Sequence, residues 1–505
     1  MNLRTRTEAG PEMNMKHTQR AVTDTTPGNP ARRQFLRHVG AGFTGLGLID
    51  LLSRDGFFAN NARAAEAENL LAPKPQHFLA KAKHCIFLFM NGGPSHVDTF
   101  DPKPALTKFD GKPYEGKVKV GSNNRPVGYL AQTTFKFNKH GDSGLPISDV
   151  FPHTAKHADD LCVIRSMWAD TAAHASGCLQ MNTGNVQIGS PSVGSWLSYG
   201  LGTESEDLPS YVVMTDPRGG PIGSASNWTA GYMPAAYQGT LFRSQGSPLL
   251  DLATPEGISN KTQRSSLDLL GELNRQHLRE HPEESELVAR IMSYELAYRM
   301  QSSATEAVNI SAEDEMTKEM YGLNDKLTAD FGGKCLIARR LIERGVRFVQ
   351  LYSGGGHIED TWDGHNDCIS NHKLHGGETD KPIAALMTDL KQRGLWDETI
   401  IVWGGEFGRT PTSEGVGKPG RDHNWLGFSM WLAGAGVKGG QAIGATDELG
   451  FLALQDKVHV SDLHATILHL MGLDHRELAY FYNGLLRHLT GPEEERYKVV
   501  EKALA

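Results

Sequence analysis

The chain is poor in cysteine, with five among 505 residues, and no two fall in a Cys-x-x-Cys pair. A thiolate zinc site and a disulfide framework therefore have no support in the sequence, and the odd number leaves at least one thiol unpaired. Basic residues do not cluster either: 51 Lys and Arg stand against 59 Asp and Glu, a formal net charge of -8. That balance argues against a nucleic-acid or polybasic membrane-surface partner. No stretch reaches the roughly 18 to 20 apolar residues of a stable bilayer span. There is no His-Glu-x-x-His motif, no internal repeat and no low-complexity tract. What is present is 39% hydrophobic, 8% aromatic and 22% charged residues, enough for a large core in one large domain or two fused ones.

Residues 1–64 read as an export signal and not as part of the fold. A polar stretch leads to Arg32-Arg33-Gln34-Phe35-Leu36, then to the weakly apolar, Gly-rich run HVGAGFTGLGLIDLL and the small-residue sequence Ala62-Arg63-Ala64. This pattern resembles a twin-arginine signal cleaved near Ala64. It implies a periplasmic or secreted mature chain, residues 65–505, carried folded by the twin-arginine export machinery and compatible with a metal loaded beforehand. Removing residues 1–64 takes away nine basic and five acidic side chains, which leaves 42 against 54 and a net charge of -12.

Beyond residue 70, short apolar runs alternate with helix-period segments, the pattern of a mostly parallel α/β sheet. Candidate strands are CIFLFM (85–90), LCVIRSM (161–167), YVVMT (211–215), VRFVQLY (346–352), TIIVW (399–403) and FSMWLA (428–433). Their β-branched and aromatic content suits burial on both faces. Cys85 and Cys162 lie inside these runs and are expected to be small core residues. Phe331, Cys335, Ala338 and Ile342 follow helical spacing, as do Ile383, Leu386, Met387 and Leu390, and Gly345 and Gly394 suit the two C-caps. A Glu-, Arg-, Gln- and Lys-rich stretch from about 263 to 330 reads as an inserted helical segment.

Polar chemistry gathers just after the C-terminal ends of the proposed strands, where open parallel sheets build their sites. One cluster runs from Asn91 to Asp101 and includes Asp98. A second runs from Trp168 to Ser176 and includes His174. The third contains Asp363 and His365. The fourth contains Glu406, Arg409, Arg421 and His423. Asp, Glu and His bind hard and borderline divalent cations, and three or four from separate loops can hold one with an open position. Such an ion can bind a phosphate or sulfate oxygen and lower the pKa of a water.

The segments FLFMNGGPSHVDTFDPKP, TWDGHND, IVWGGEFGRTP, GRDHN and SDLHATILHLMGLD together resemble a bacterial family catalogued as a domain of unknown function (number fifteen hundred and one), from about residue 80 to 490. That family is in turn similar to the alkaline phosphatase and sulfatase superfamily. The resemblance implies an alkaline phosphatase-like α/β/α sandwich with a mostly parallel central sheet. It implies that Asp363 and His365 are a first ligand pair, that His423 completes the same site, and that Glu406 takes the place of a second-site Asp. The companion His of that Asp is Phe407 here, and the acidic ligand after the first strand is Asn91, with carboxylates displaced to Asp98 and Asp101. One divalent ion, Zn or Ca, is therefore expected, with Asp98 and Glu406 as further candidate ligands. The helix in SDLHATILHLMGLD should start with Ser461 as its N-cap and turn Leu463, Ile467 and Leu470 inward.

Near the expected nucleophile position stand His174 and Ser176. His174 can serve as nucleophile or general base and Ser176 can supply a hydroxyl, or both can coordinate a metal or cap a helix. Glu406 is a candidate base as well as a ligand. Arg409 and Arg421 are candidates for binding an oxyanion, with salt bridges to carboxylates as the alternative. Two functions follow: an exported metal-dependent hydrolase or transferase acting on small-molecule or glycan sulfate or phosphate esters, or a non-catalytic module that uses the metal for stability and binds a glycan or a protein.

Overall fold

The computed structural model describes residues 69–118, 128–243, 249, 252–281, 285–356, 358–413, 415–491 and 496–505. All of them belong to the compact unit Leu52–Ala505; the export signal and the boundary at residue 64 lie outside the described residues. Nine strands form one sheet: β1 (His84–Met90), β2 (Cys162–Trp168), β3 (Tyr211–Met214), β4 (Thr240–Phe242), β5 (Phe348–Ser353), β6 (Thr399–Gly404), β7 (Phe428–Gly434), β8 (Gln441–Ile443) and β9 (Val458–His459). Their order is β8-β2-β7-β6-β1-β5-β3-β4, with β9 also paired to β2. All six candidate strands are present, with ends within two residues of those read from the sequence.

β1 pairs in parallel with β5 and β6, with Cys85 opposite both Phe348 and Ile400, so the ends of the three central strands are nearly level. β7 alone runs against its neighbours β2 and β6. This placement decides where the site forms. The C-terminal ends of β1, β2, β5 and β6 and the N-terminal end of β7 all reach one edge of the sheet, so the polar segment preceding β7 joins the loops that follow the other four strands.

Side chains alternate across the sheet into two cores. Cys85, Phe87 and Phe89 point to one face, against α1 (His174–Thr183), α2 (Val193–Leu201) and α7 (Val460–Leu470). Ile86, Leu88 and Met90 point to the other, against α4 (Ser285–Val308), α5 (Ala329–Ile342) and α6 (Cys368–Gln392). This three-layer α/β/α arrangement with a mostly parallel sheet is the expected fold class. Burial on both faces explains why the strands read as unbroken apolar runs, each buried large side chain contributing about 1.5–3 kcal/mol relative to exposure. All five cysteines are buried and free.

Cys335, Ala338 and Ile342 face the second core from α5, and Ile383, Leu386, Met387 and Leu390 do so from α6. Gly345 and Gly394 take positive φ just beyond these helices. α6 is far longer than its apolar pattern, continuing back through Pro382 and Gly376 to an Asp367 cap whose Oδ1 accepts the Ser370 N–H at 2.9 Å. Gly376 is required by contact, because a Cβ there would stand 2.5 Å from Val150 Cγ1. The helical stretch between the sheet strands starts at α3 (Asn260–Glu280), which buries no residue and is tied to α4 by Arg264 and Glu295 at 2.6 Å. The helix containing Leu463, Ile467 and Leu470 is α7, and all three are buried. Its cap is not Ser461 but His459, whose Nδ1 accepts the Ser461 N–H at 3.1 Å while Asp462 accepts the His459 N–H at 2.8 Å.

Candidate metal centre

Four side chains from three loops converge at the shared edge. His174 is the first residue of α1, reached from β2. Asp363 and His365 follow β5 through a Gly-rich turn, and this loop is pinned where the Trp362 N–H donates to Asn91 O at 2.8 Å and its indole N–H to Ser353 Oγ at 3.1 Å. His423 pairs with Arg409 in a two-residue antiparallel ladder just ahead of β7. One potential ligand atom from each of His174, Asp363, His365 and His423 lies within 4.8 Å of all the others.

The individual separations are short. His365 Nε2 and His423 Nε2 are 2.8 Å apart, His365 Nε2 is 3.1 Å from Asp363 Oδ1, His174 Nε2 is 3.2 Å from Asp363 Oδ2, and His423 Nε2 is 3.6 Å from Asp363 Oδ1. Donor atoms about 2.1 Å from a tetrahedral ion lie about 3.4 Å apart, so the spacing fits a common cation. The hydrogen bonding agrees. His174 Nε2 and Asp363 Oδ1 are buried without a hydrogen-bond partner although polar atoms stand 3.2 and 3.1 Å away, as suits groups facing a shared cation. Three imidazoles and a carboxylate are a chemically suitable set.

The electrostatics prepare the donors. Burial alone would raise the Asp363 carboxyl; the Arg409 guanidinium, 2.6 Å away, and contacts with His174 and His423 override it and hold it far below the usual carboxylate range. Burial lowers His365 and His423, with Arg409 repelling their charged forms, so both are neutral and able to ligate at neutral pH. His174 goes the other way: burial opposes its charged form, but its contacts with Asp363 and Glu406 prevail and raise it. His423 Nδ1 is held by Ala172 O at 2.6 Å, and Phe407 packs against the rings of His174 and His423 with centroids 4.8 Å away.

The remaining candidates are placed elsewhere. Glu406 is fully buried behind His174, outside the group of four: its carboxylate contacts His174 Nδ1 at 2.5 Å and accepts the Gly92 N–H at 3.0 and 3.2 Å. Asp98 is not beside the histidines; it forms a buried ion pair with Arg421 at 2.7 Å and accepts the Ser95 hydroxyl at 2.5 Å. Arg421 is thereby engaged and also donates to Thr410 O and Ala131 O. Arg409 is fully buried and donates to the carbonyls of Gly92 and Gly93 as well as facing Asp363. Both arginines follow the salt-bridge alternative. Ser176 is half-buried in α1, and its hydroxyl makes no hydrogen bond among the described residues. The residues that sequence reading passed over are Gly92 and Ala172, which act through backbone atoms; the doubled glycine after β1 is the only signal that pointed to the first.

Comparison with known proteins adds the following. A family model described as "Protein of unknown function (DUF1501)" matches residues 82–502. No curated protein matches. Among solved structures, the chain is similar to the lipoteichoic acid synthase LtaP from Listeria monocytogenes, with 10% identity, 85% of this chain and 81% of the other covered, and a TM-score of 0.35. It is similar to alkaline phosphatase from the Antarctic bacterium TAB5, with 13% identity, 78% and 99% covered, and a TM-score of 0.34. A sulfatase from Pseudoalteromonas sp. matches with 12% identity, 78% and 68% covered, and a TM-score of 0.32.

Proposed function

Since the chain belongs to the family described as protein of unknown function (DUF1501), its chemistry has to be argued from its own site, and we propose that it is an exported, metal-dependent hydrolase or transferase acting on phosphate or sulfate esters. The observation that carries this reading is the convergence of His174, Asp363, His365 and His423 at the strand ends. Three nitrogen donors and one oxygen favour zinc over calcium, which takes oxygen ligands. When bound, such an ion polarises an ester oxygen and acidifies a water.

The chain's own residues set the remaining conditions. The formal charges are +1 on Arg409 and -1 each on Asp363 and Glu406; once His174 gives up the proton that Asp363 and Glu406 favour, the imidazoles are neutral, the centre is at -1, and a divalent ion would bring it to +1. A net positive centre in a low-dielectric setting attracts an anionic ester. Arg409 neutralises Asp363 from the protein side and leaves its other oxygen toward His174. His365, with 31% of its side chain exposed, stands on the solvent side while the other three donors are nearly enclosed, which gives an approach for substrate there. Export through the twin-arginine route is part of the proposal, supported by Arg32-Arg33-Gln34-Phe35-Leu36. Among the described residues no helix is long and apolar enough to cross a membrane.

One observation favours a second reading, a non-catalytic module stabilised by its ion. Four protein donors would fill the ligand set as in structural zinc sites, with both arginines already engaged. Metal analysis of the purified mature protein, followed by aryl phosphate and aryl sulfate assays, separates the two. We expect one zinc per chain, lost in Asp363→Ala and His423→Ala, and ester turnover that depends on it. Zinc-loaded protein inert toward the ester panel establishes the binding module, and absence of bound metal refutes both.

A further inference from the structure

The geometry points to Glu406 as a positioning residue for His174 and not as a metal ligand or a base; this deepens the metal-centre reading and rests on it. Glu406 has no exposed surface, and its carboxylate is committed on two sides: the Gly92 N–H donates to both oxygens, at 3.0 and 3.2 Å, and Oε1 lies 2.5 Å from His174 Nδ1. A carboxylate accepts and cannot donate, so the proton in this contact sits on Nδ1. The lone pair of a neutral His174 is then on Nε2, the buried atom with no hydrogen-bond partner that faces Asp363. Glu406 thus selects the tautomer and the ring orientation that let His174 enter the group of four, in the manner of a carboxylate behind a ligating histidine.

The backbone is shaped for this. Gly92 has φ +110°, and a Cβ there would stand 2.6 Å from Asp363 N and 2.7 Å from Trp362 N. Only glycine can aim its N–H at Glu406 while the loop bearing Asp363 packs directly against it. One carboxylate therefore fixes the spacing between the β1 loop, the β6 loop and the start of α1.

The test compares Glu406→Gln, which keeps an acceptor oxygen, with Glu406→Met, which has none, in the mature protein. Nitrogen-15 spectra of the metal-free protein, taken above the pH at which His174 loses its second proton, should show His174 protonated on Nδ1 in the wild type and in Glu406→Gln, and on Nε2 or mixed in Glu406→Met. Zinc affinity should fall about 10- to 100-fold in Glu406→Met and less in Glu406→Gln. One ion per chain and an unchanged cobalt ligand-field spectrum are expected in Glu406→Gln. A changed cobalt spectrum in Glu406→Gln makes Glu406 a ligand and overturns the inference, as does an unchanged His174 tautomer in Glu406→Met. If the wild type binds no metal, the proposed function falls, while the tautomer comparison still decides the role of Glu406.

Discussion

Replacing Asp98 by asparagine would leave the Arg421 guanidinium opposite a neutral amide in a site where the two side chains are 2% and 0% exposed. The pair is held by two contacts, Nε to Oδ2 at 2.7 Å and Nη2 to Oδ1 at 3.3 Å. At about 3 Å and an effective dielectric near 20 the charge–charge attraction is about 5 kcal/mol, and enclosure removes any discount for solvent screening. The carbonyls of Thr410 and Ala131 still accept from the guanidinium, so the expected loss is about 3–5 kcal/mol, the cost of stranding one partner of a buried pair. Urea unfolding of Asp98→Asn should show this loss, while the metal content matches that of the wild type. Asp98→Asn combined with Arg421→Met should recover part of it, because the two effects are coupled. The pH dependence has a definite sign. Burial pushes the Asp98 carboxyl up, but Arg421, His372 and Ser95 override it and hold it low. The stabilisation is therefore present above the ordinary carboxylate range and vanishes as pH falls through the depressed folded value, so wild type and variant should converge in acid. A loss below about 1 kcal/mol at neutral pH, or disappearance of the bound metal, would show that Asp98 does not serve to neutralise Arg421.

Three further outcomes are expected. Gly92→Ala should destabilise the protein by more than the roughly 1–3 kcal/mol of backbone strain alone, whereas Gly394→Ala, at φ +71° with open space around it, should cost only that strain; equal unfolding midpoints for the two variants would contradict the close approach at Gly92. His459→Ala removes the cap of α7 and should cost about 1–2 kcal/mol, more than Ser461→Ala, and thermal unfolding of the two distinguishes the cap residue. Burial lowers His372 to about 3 and His464 to about 4. The unfolded chain, with histidines near 6.5, therefore binds protons first, and stability should fall as pH drops from about 6.5, by about 1.4 kcal/mol per pH unit for each group; a flat profile in chelator-treated protein would exclude buried neutral histidines.

The fold was legible where one physical signal dominated. Strands buried on both faces carry continuous apolar runs, and all six candidates were found. What the runs do not carry is direction: FSMWLA reads the same whether parallel or not, and only tertiary pairing makes β7 antiparallel. The first half of α6 was missed because Gly376, Gly377 and Pro382 weaken the helical pattern, while packing against Val150 demands the first of them. Of the site, Asp363, His365 and His423 lie together, and His174, left open among several roles, stands with them. Asp98 could not be assigned from sequence, since spacing does not say which carboxylate a buried arginine will take. Likewise the capping pattern drew attention to Ser461 because hydroxyls cap helices more often than imidazoles.

The antiparallel entry of β7 has a consequence for biosynthesis. Donors at residues 174, 363 and 365 are translated well before the one at 423, and the last comes into place only when β7 threads between β2 and β6. A ribosome-bound chain short of that point offers an incomplete set of donors, so a cation held by the four would act as a final clasp and not as a folding nucleus. A carrier that moves its cargo as an unfolded thread would undo that clasp, whereas under the proposed export of a finished globule the cytoplasm would choose which ion leaves with the protein.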